Sequence, residues 1–278
     1  TGLLVNRPGL PSIAEIAQAE LKLAGLRIHP KFRTATRSSF SDGLSLLDIP
    51  SGKTRKVTGL PNKIKIADMA WSADEKWLAF SVWGRNGVEL WLLDVKQASA
   101  RPLIYEKLNA VMGAGFSWLN GSDQLLVRLL PRSQKTAPVE PRVPPGPNLQ
   151  ETRGGKLAQT RTYPDLLKNA HDADMLDWQL QTQLAIVHLD GSVRRFGPVM
   201  TLSKVLASPD GKWVLTTQLK RPYSYQLPWE RFGHLIEVWG TDGKKLRTVA
   251  DVVMRERLPS SNEVVQAGPR NFAWRNDQ

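Results

Sequence analysis

The sequence predicts an all-β fold, a β-propeller of four-stranded antiparallel blades, with about four blades and the first strand of a fifth within its 278 residues. Three observations carry this. The strands at 77–82 and 88–93 are apolar on both faces, with Leu78, Phe80 and Val82 on one side of the first and Trp77 and Ala79 on the other. That pattern describes a sheet sandwiched between neighbours, not a half-exposed hairpin. The turn Ser72-Ala73-Asp74-Glu75-Lys76-Trp77 has a twin in Ser208-Pro209-Asp210-Gly211-Lys212-Trp213, with weaker copies starting at Phe116 and Phe272. Finally, strands that end at Asp48, Asp94, Asp190 and Asp242 recur at spacings of 46, 96 and 52 residues. That is about one blade length per repeat, with one insertion.

Taken in order, Gly2–Asn6 reads as a strand. Ser12 and Glu15 then form a capping box, and Ile13, Ile16, Ala17, Leu21 and Ala24 follow at helical spacing with Gly25 as a stop, which predicts a helix over 12–24. Residues 38–58 complete blade one. Blade two is 68–104, with its first strand ending at Trp71 and Asn86-Gly87 as a hairpin turn. Each third strand is followed by a short basic one, at 54–58, 100–104, 193–196 and 245–249. Blade three starts near Val111 and is interrupted by an insertion at 131–182. Six prolines in the 17 residues from Pro131 to Pro147 exclude a ladder there, Gly154-Gly155 follows, and 172–180 reads as a helix with acids in its first turn, so the insertion is expected to pack as a lid or rim. The blade resumes at Gln183. Blade four spans 202–249 and carries a second insertion at 221–232. Residues 267–274 open a fifth blade, which needs further strands to bury it and close the ring. The whole of 1–278 is thus one partial propeller domain.

Composition narrows the function. The net charge is +12, but the basic residues sit singly on outer strands (Arg55, Lys56, Arg101, Arg194, Arg195, Lys245, Arg247). This reads as a solvated surface that guards against edge pairing, not a nucleic-acid patch. There is no cysteine, and no apolar run approaches the ~20 residues that span a bilayer. No basic-then-apolar leader follows Thr1, so a signal peptide is expected to have been removed or never present. No Gly-x-Ser-x-Gly elbow, phosphate loop, dinucleotide fingerprint or metal-spaced cluster occurs, and the four histidines are scattered. No catalytic residue, metal or cofactor is assigned.

Several longer stretches carry a resemblance. They are 11–17 (Pro-Ser-Ile-Ala-Glu-Ile-Ala) with 23–28 (Leu-Ala-Gly-Leu-Arg-Ile), 161–169 (Arg-Thr-Tyr-Pro-Asp-Leu-Leu-Lys-Asn), 221–225 (Arg-Pro-Tyr-Ser-Tyr) with Arg231-Phe232, and Gly268-Pro269-Arg270. In these the chain resembles the propeller part of a prolyl oligopeptidase family serine peptidase, of the glutamyl endopeptidase-like branch. The resemblance implies a larger, exported enzyme, periplasmic or secreted, in which a propeller caps a C-terminal α/β-hydrolase domain that this chain lacks. The partners implied are a peptide substrate and that hydrolase domain. An alternative is a non-enzymatic propeller that binds a protein partner. A pocket for a glutamyl carboxylate needs a fixed cation, best an arginine fork. The two insertions combine arginine with tyrosine, so the substrate-binding candidates are Arg161 and Tyr163 in the first and Arg221, Tyr223, Tyr225 and Arg231 in the second. The structural alternative is that these arginines pair with Asp165, Asp172 or Glu230 and staple the insertions.

Overall fold

Hydroxyl-anchored turns set the pattern from which the blades grow. In the computed structural model, which describes residues 1–6, 13–36, 38–133, 135–141, 162–254 and 268–275, the Ser72 hydroxyl accepts the N–H of Trp77 at 3.0 Å and donates to Asp74 at 2.7 Å. Asp74 in turn accepts the N–H of Lys76 at 3.3 Å. Ser208, Trp213, Asp210 and Lys212 repeat these bonds at 3.0, 2.5 and 3.1 Å. The residue after each aspartate has a left-handed backbone, with φ +58° at Glu75 and +71° at Gly211. The other recurring aspartates work alike. Asp48, Asp94, Asp190 and Asp242 accept the backbone N–H of Ser51, Gln97, Ser192 and Lys244, and so close each third strand.

After β1 (Gly2–Asn6) come one turn of helix, α1 (Ile13–Ile16), and a hairpin of β2 (Leu21–Leu23) and β3 (Leu26–Ile28). Blade one is a three-stranded antiparallel sheet in which β1 pairs with β4 (Gly43–Leu47) and β4 with β5 (Thr54–Lys56). Blade two is a four-stranded meander of β6 (Ile66–Trp71), β7 (Trp77–Gly84), β8 (Gly87–Asp94) and β9 (Ser99–Pro102). Blade three adds β10 (Phe116–Trp118) and β11 (Gln124–Leu129), then the insertion with α2 (Ala170–Leu180), then β12 (Gln181–His188). The next strand, β13 (Val193–Ala207), is shared: its first part pairs with β12, and from Leu202 onward it pairs with β14 (Trp213–Lys220). Blade four continues through β15 (Gly233–Gly240) and β16 (Lys245–Val252), so that blades three and four form one seven-stranded sheet.

The doubly apolar strands are explained by where the cores lie, which is between blades. Leu78, Phe80 and Val82 of β7 join Leu44 and Leu46 of blade one, while Ala79 with Leu90 and Leu92 joins Leu125, Val127 and Leu129 of blade three. Leu126, Leu184 and Ile186 face the other way, toward Leu202, Val214 and Trp239 of blade four. Burial of each such large apolar side chain stabilises by roughly 1.5–3 kcal/mol. Polar staples run alongside. Arg55 donates to the carbonyls of Val95 and Lys96 at 2.9 Å, Arg101 to Leu189 at 2.6 Å, and Arg194 to Thr241 at 2.7 Å. In each case an outer-strand arginine reaches the third-strand turn of the next blade. The Trp118 indole donates to the Ala70 carbonyl at 2.8 Å.

Two expectations are corrected. The helix over 12–24 shrinks to α1, because Leu21–Ile28 forms the hairpin; Ala24 and Gly25, with φ of +53° and +86°, make its two-residue turn. The Ser12–Glu15 cap lies outside the described residues. Nothing in the sequence announced that β13 runs unbroken through Gly197-Pro198 and joins blades three and four. Residues 268–275 carry no strand, but the Trp274 indole donates to the Leu206 carbonyl at 3.0 Å. Leu206 stands two residues before Ser208, as Ala70 does before Ser72. This segment therefore docks on blade four as β10 docks on blade two.

Candidate functional site

The β2–β3 turn gathers both insertions. Its Gly25 N–H donates to the Asp165 carbonyl at 2.8 Å, and its Ala24 carbonyl accepts the Trp229 N–H at 2.9 Å. A side chain at Gly25 would stand 3.1 Å from Pro228. The Arg27 guanidinium holds Asp165 at 2.7 Å. Helix α2 follows, capped by Asn169, whose side chain accepts the Asp172 N–H at 2.9 Å. It buries Ala173, Leu176 and Leu180 against Leu23, Ile28, Leu219, Leu227 and Phe232.

Within this cluster the structure brings together five of the six candidates; Arg161 lies outside the described residues. Arg221 forks onto Asp174 and Asp177 of α2, both at 2.6 Å. The Tyr223 hydroxyl donates to the second oxygen of Asp177, and its ring stacks on Phe232 at 4.9 Å. The Arg231 guanidinium lies 5.9 Å from the Tyr163 ring, and Tyr225 packs half-buried in the same cluster. Burial draws Arg221 down, but hydrogen bonds to Asp174 and Asp177 outweigh it and leave its pKa raised. Burial first, then the bond to Asp177, pushes Tyr223 well above the usual tyrosine value, so it remains a donor. The arginine fork is therefore already filled by carboxylates, though not by those the sequence suggested. Asp165 serves Arg27, and Asp172 accepts the N–H of Lys168 at 2.8 Å. Asp174 and Asp177 were legible as an i, i+3 acidic face on the predicted helix; nothing in the sequence paired them with Arg221.

A second arginine stands apart. Arg33, on the loop after β3, is 2% exposed, and neither terminal nitrogen of its guanidinium has a hydrogen-bond partner. Its guanidinium lies 3.6 Å over the Trp178 ring, and its backbone is left-handed with φ +48°. The next residue of α2, Gln179, is 0% exposed and neither atom of its side-chain amide has a partner. One short stretch ties the two: Ala110 N–H donates to the Arg33 carbonyl at 2.9 Å, and the Asn109 amide donates to the Gln179 carbonyl at 2.8 Å. Burial lowers the Arg33 pKa to about 10, which leaves it charged at neutral pH.

A cavity of about 200 Å³ lies along the first strands of blades three and four, lined by Ser117, Arg128, Ser203 and Lys204 among others. Arg128 is closed by the carbonyls of Met112, Gly113 and Ala114. Among the described residues no three acidic or histidine side chains are grouped to hold a metal ion, and no helix is long and apolar enough to cross a membrane.

No family model matches the chain. It is 35% identical, over 99% of its length, to a rice protein (Oryza sativa subsp. japonica) named probable glutamyl endopeptidase, chloroplastic. It is 37% identical, also over 99%, to the Arabidopsis thaliana protein of the same name. The chain spans about a third of these relatives, 31% and 30% of their lengths. Among solved structures, an acylaminoacyl peptidase of Pyrococcus horikoshii aligns with 78% of this chain and 28% of its own, at 14% identity and a TM-score of 0.46.

Proposed function

We propose that this chain, a homologue over nearly its whole length of proteins named glutamyl endopeptidase, is the propeller part of a peptidase that cuts peptide bonds with a serine nucleophile. The observation that carries the reading is identity of 35–37% across 99% of the chain, insertions included. In this reading the nucleophilic serine, its histidine and its aspartate lie in a C-terminal α/β-hydrolase domain beyond these 278 residues. The blades cap that domain and restrict access to peptides that can pass. Cleavage after glutamate belongs to the same proposal, because it is what the relatives are named for.

The propeller contributes no reacting group in this reading. Helix α2 and the 221–232 insertion form a rim whose position is held by Arg221 and Tyr223 on Asp177. The test uses the full-length protein. A serine-directed phosphonate probe is expected to label a residue outside the 278, and a peptide with one glutamate is expected to be cut on its carboxyl side. Absence of both labelling and cleavage overturns the reading.

A further inference from the structure

We infer that Arg33, with the Gln179 amide, forms a binding site for a single carboxylate. For the idea that a peptide supplies the carboxylate, the inference rests on the peptidase reading above; for binding itself it does not.

Three features, two at Arg33 and one on the helix whose Trp178 stacks on it, each oppose folding. A guanidinium is taken out of water without a carboxylate, carbonyl or hydroxyl at its terminal nitrogens. A side-chain-bearing residue holds a left-handed backbone, with φ +48°. A glutamine from the adjacent helix is buried with its amide unsatisfied. Buried polar groups are normally bonded, and strained, unsatisfied positions cluster at ligand clamps. The acids of α2 do not answer this charge, because Asp174 and Asp177 are held by Arg221 and Tyr223.

The ligand class follows from the donors. Of the four unpartnered atoms on Arg33 and Gln179, three are donors, and a half-turn of the amide sets which of its two ends presents the N–H. Trp178 occupies one face of the guanidinium at 3.6 Å, which leaves its edge as the binding direction. An edge-on guanidinium matches the two oxygens of a carboxylate, and one fixed cation matches one negative charge. Arg33 is 2% exposed, so entry requires a neighbour to give way, and a carboxylate seated there is desolvated. That setting favours discrimination of glutamate from glutamine, since a site built for one polar group rejects the isostere that leaves it unpaired.

The test measures binding by calorimetry to the full-length protein with its nucleophile blocked, using three capped tetrapeptides. One carries a glutamate and an amidated C-terminus, one the matching glutamine and an amide, and one the glutamine with a free C-terminal carboxylate. The glutamate or the free-carboxylate peptide, or both, is expected to bind roughly 10- to 150-fold more tightly than the glutamine amide; which one does so identifies the source. In Arg33→Met that advantage vanishes while Tm stays level or rises, because an uncompensated buried charge has been replaced by a hydrophobe of similar length. Gln179→Leu keeps the charge and loses part of the advantage. The proposal is overturned if all three peptides bind alike, or if the advantage survives Arg33→Met. It is also overturned if Arg33→Met lowers Tm by many degrees without changing peptide selectivity, which would mean that the protein's own chain supplies the partner. Serine-dependent cleavage with no effect of Arg33 would sink this inference and leave the peptidase reading standing. Carboxylate selectivity without any cleavage would do the reverse.

Discussion

Glu75 and Gly211 occupy the same left-handed position in twin turns, and only the glycine suits it. A side chain there costs about 1–2 kcal/mol, whereas glycine costs about 0.5–1 kcal/mol in chain entropy. Glu75→Gly is therefore expected to stabilise by roughly 0.5–1 kcal/mol and raise Tm by about 1–4 °C; a fall in Tm would refute this. The neighbouring carboxylates respond to acid. Hydrogen bonds from Ser72 and Ser208 hold Asp74 and Asp210 below the usual carboxylate range. A depressed folded-state pKa means stability that is present above the unfolded value of about 3.9 and lost as pH falls through the folded one. The double variant Asp74→Asn/Asp210→Asn should lose less Tm than wild type on going from pH 7 to pH 3, and equal losses would reject the linkage. These turns were plain in the sequence because a turn writes its chemistry in consecutive residues. Arg33 was not, since Lys31-Phe32-Arg33-Thr34 reads as an ordinary basic loop and its burial is decided by α2, far along the chain.

Helix α2 is held to the 221–232 insertion by a latch of unequal parts. The Arg221 side chain is 46% exposed, so its two ion pairs contribute only about 0.5–1 kcal/mol together. The hydroxyl of the buried Tyr223 contributes about 1 kcal/mol. Arg221→Ala and Tyr223→Phe should each speed amide exchange in α2 severalfold while blade two keeps its protection. In the full-length protein Arg221→Ala should change kcat/KM for glutamyl and glutaminyl peptides by the same factor, because the residue positions the rim. A loss confined to glutamyl peptides would instead assign it to the substrate. The helix itself was legible from the acids of its first turn. The β2–β3 hairpin was not, because Leu21 and Ala24 fit a helical stripe as well as Leu21 and Leu23 fit a strand. What decides is tertiary: Asp165 and Trp229 bond the turn that only the hairpin presents.

Across the molecule, the outer-strand arginines expected merely to guard edges also join blades. Arg55, Arg101 and Arg194 each donate to a carbonyl of the next blade's third-strand turn. Each bond contributes about 0.5–1.5 kcal/mol, and the sites are distant enough to add. The triple alanine variant should lose roughly 2–4 kcal/mol, seen as a lower Tm with unchanged β-sheet circular dichroism; a loss no larger than any single variant's would show that the bonds are redundant. The blade count was readable from the aspartates because each closes a strand the same way. The fusion of blades three and four was not, because nothing in the residues of β13 marks that one strand pairs within both blades.

That fusion has a mechanical side. A hydrogen-bonded ladder cannot be parted by sliding one face over another; it must be unzipped bond by bond. With β13 woven into both halves, blades three and four share one fabric, whereas blades two and three meet across the side chains around Leu90 and Leu125 and the main-chain bridges of Leu108. If the ring ever yields to let a bulky chain through, the seam beside β9 is where it gives first, and the cloth on the far side travels as one piece. Exchange measured under mild denaturant should then show β12, β13 and β14 losing protection together, after β9 has lost its own.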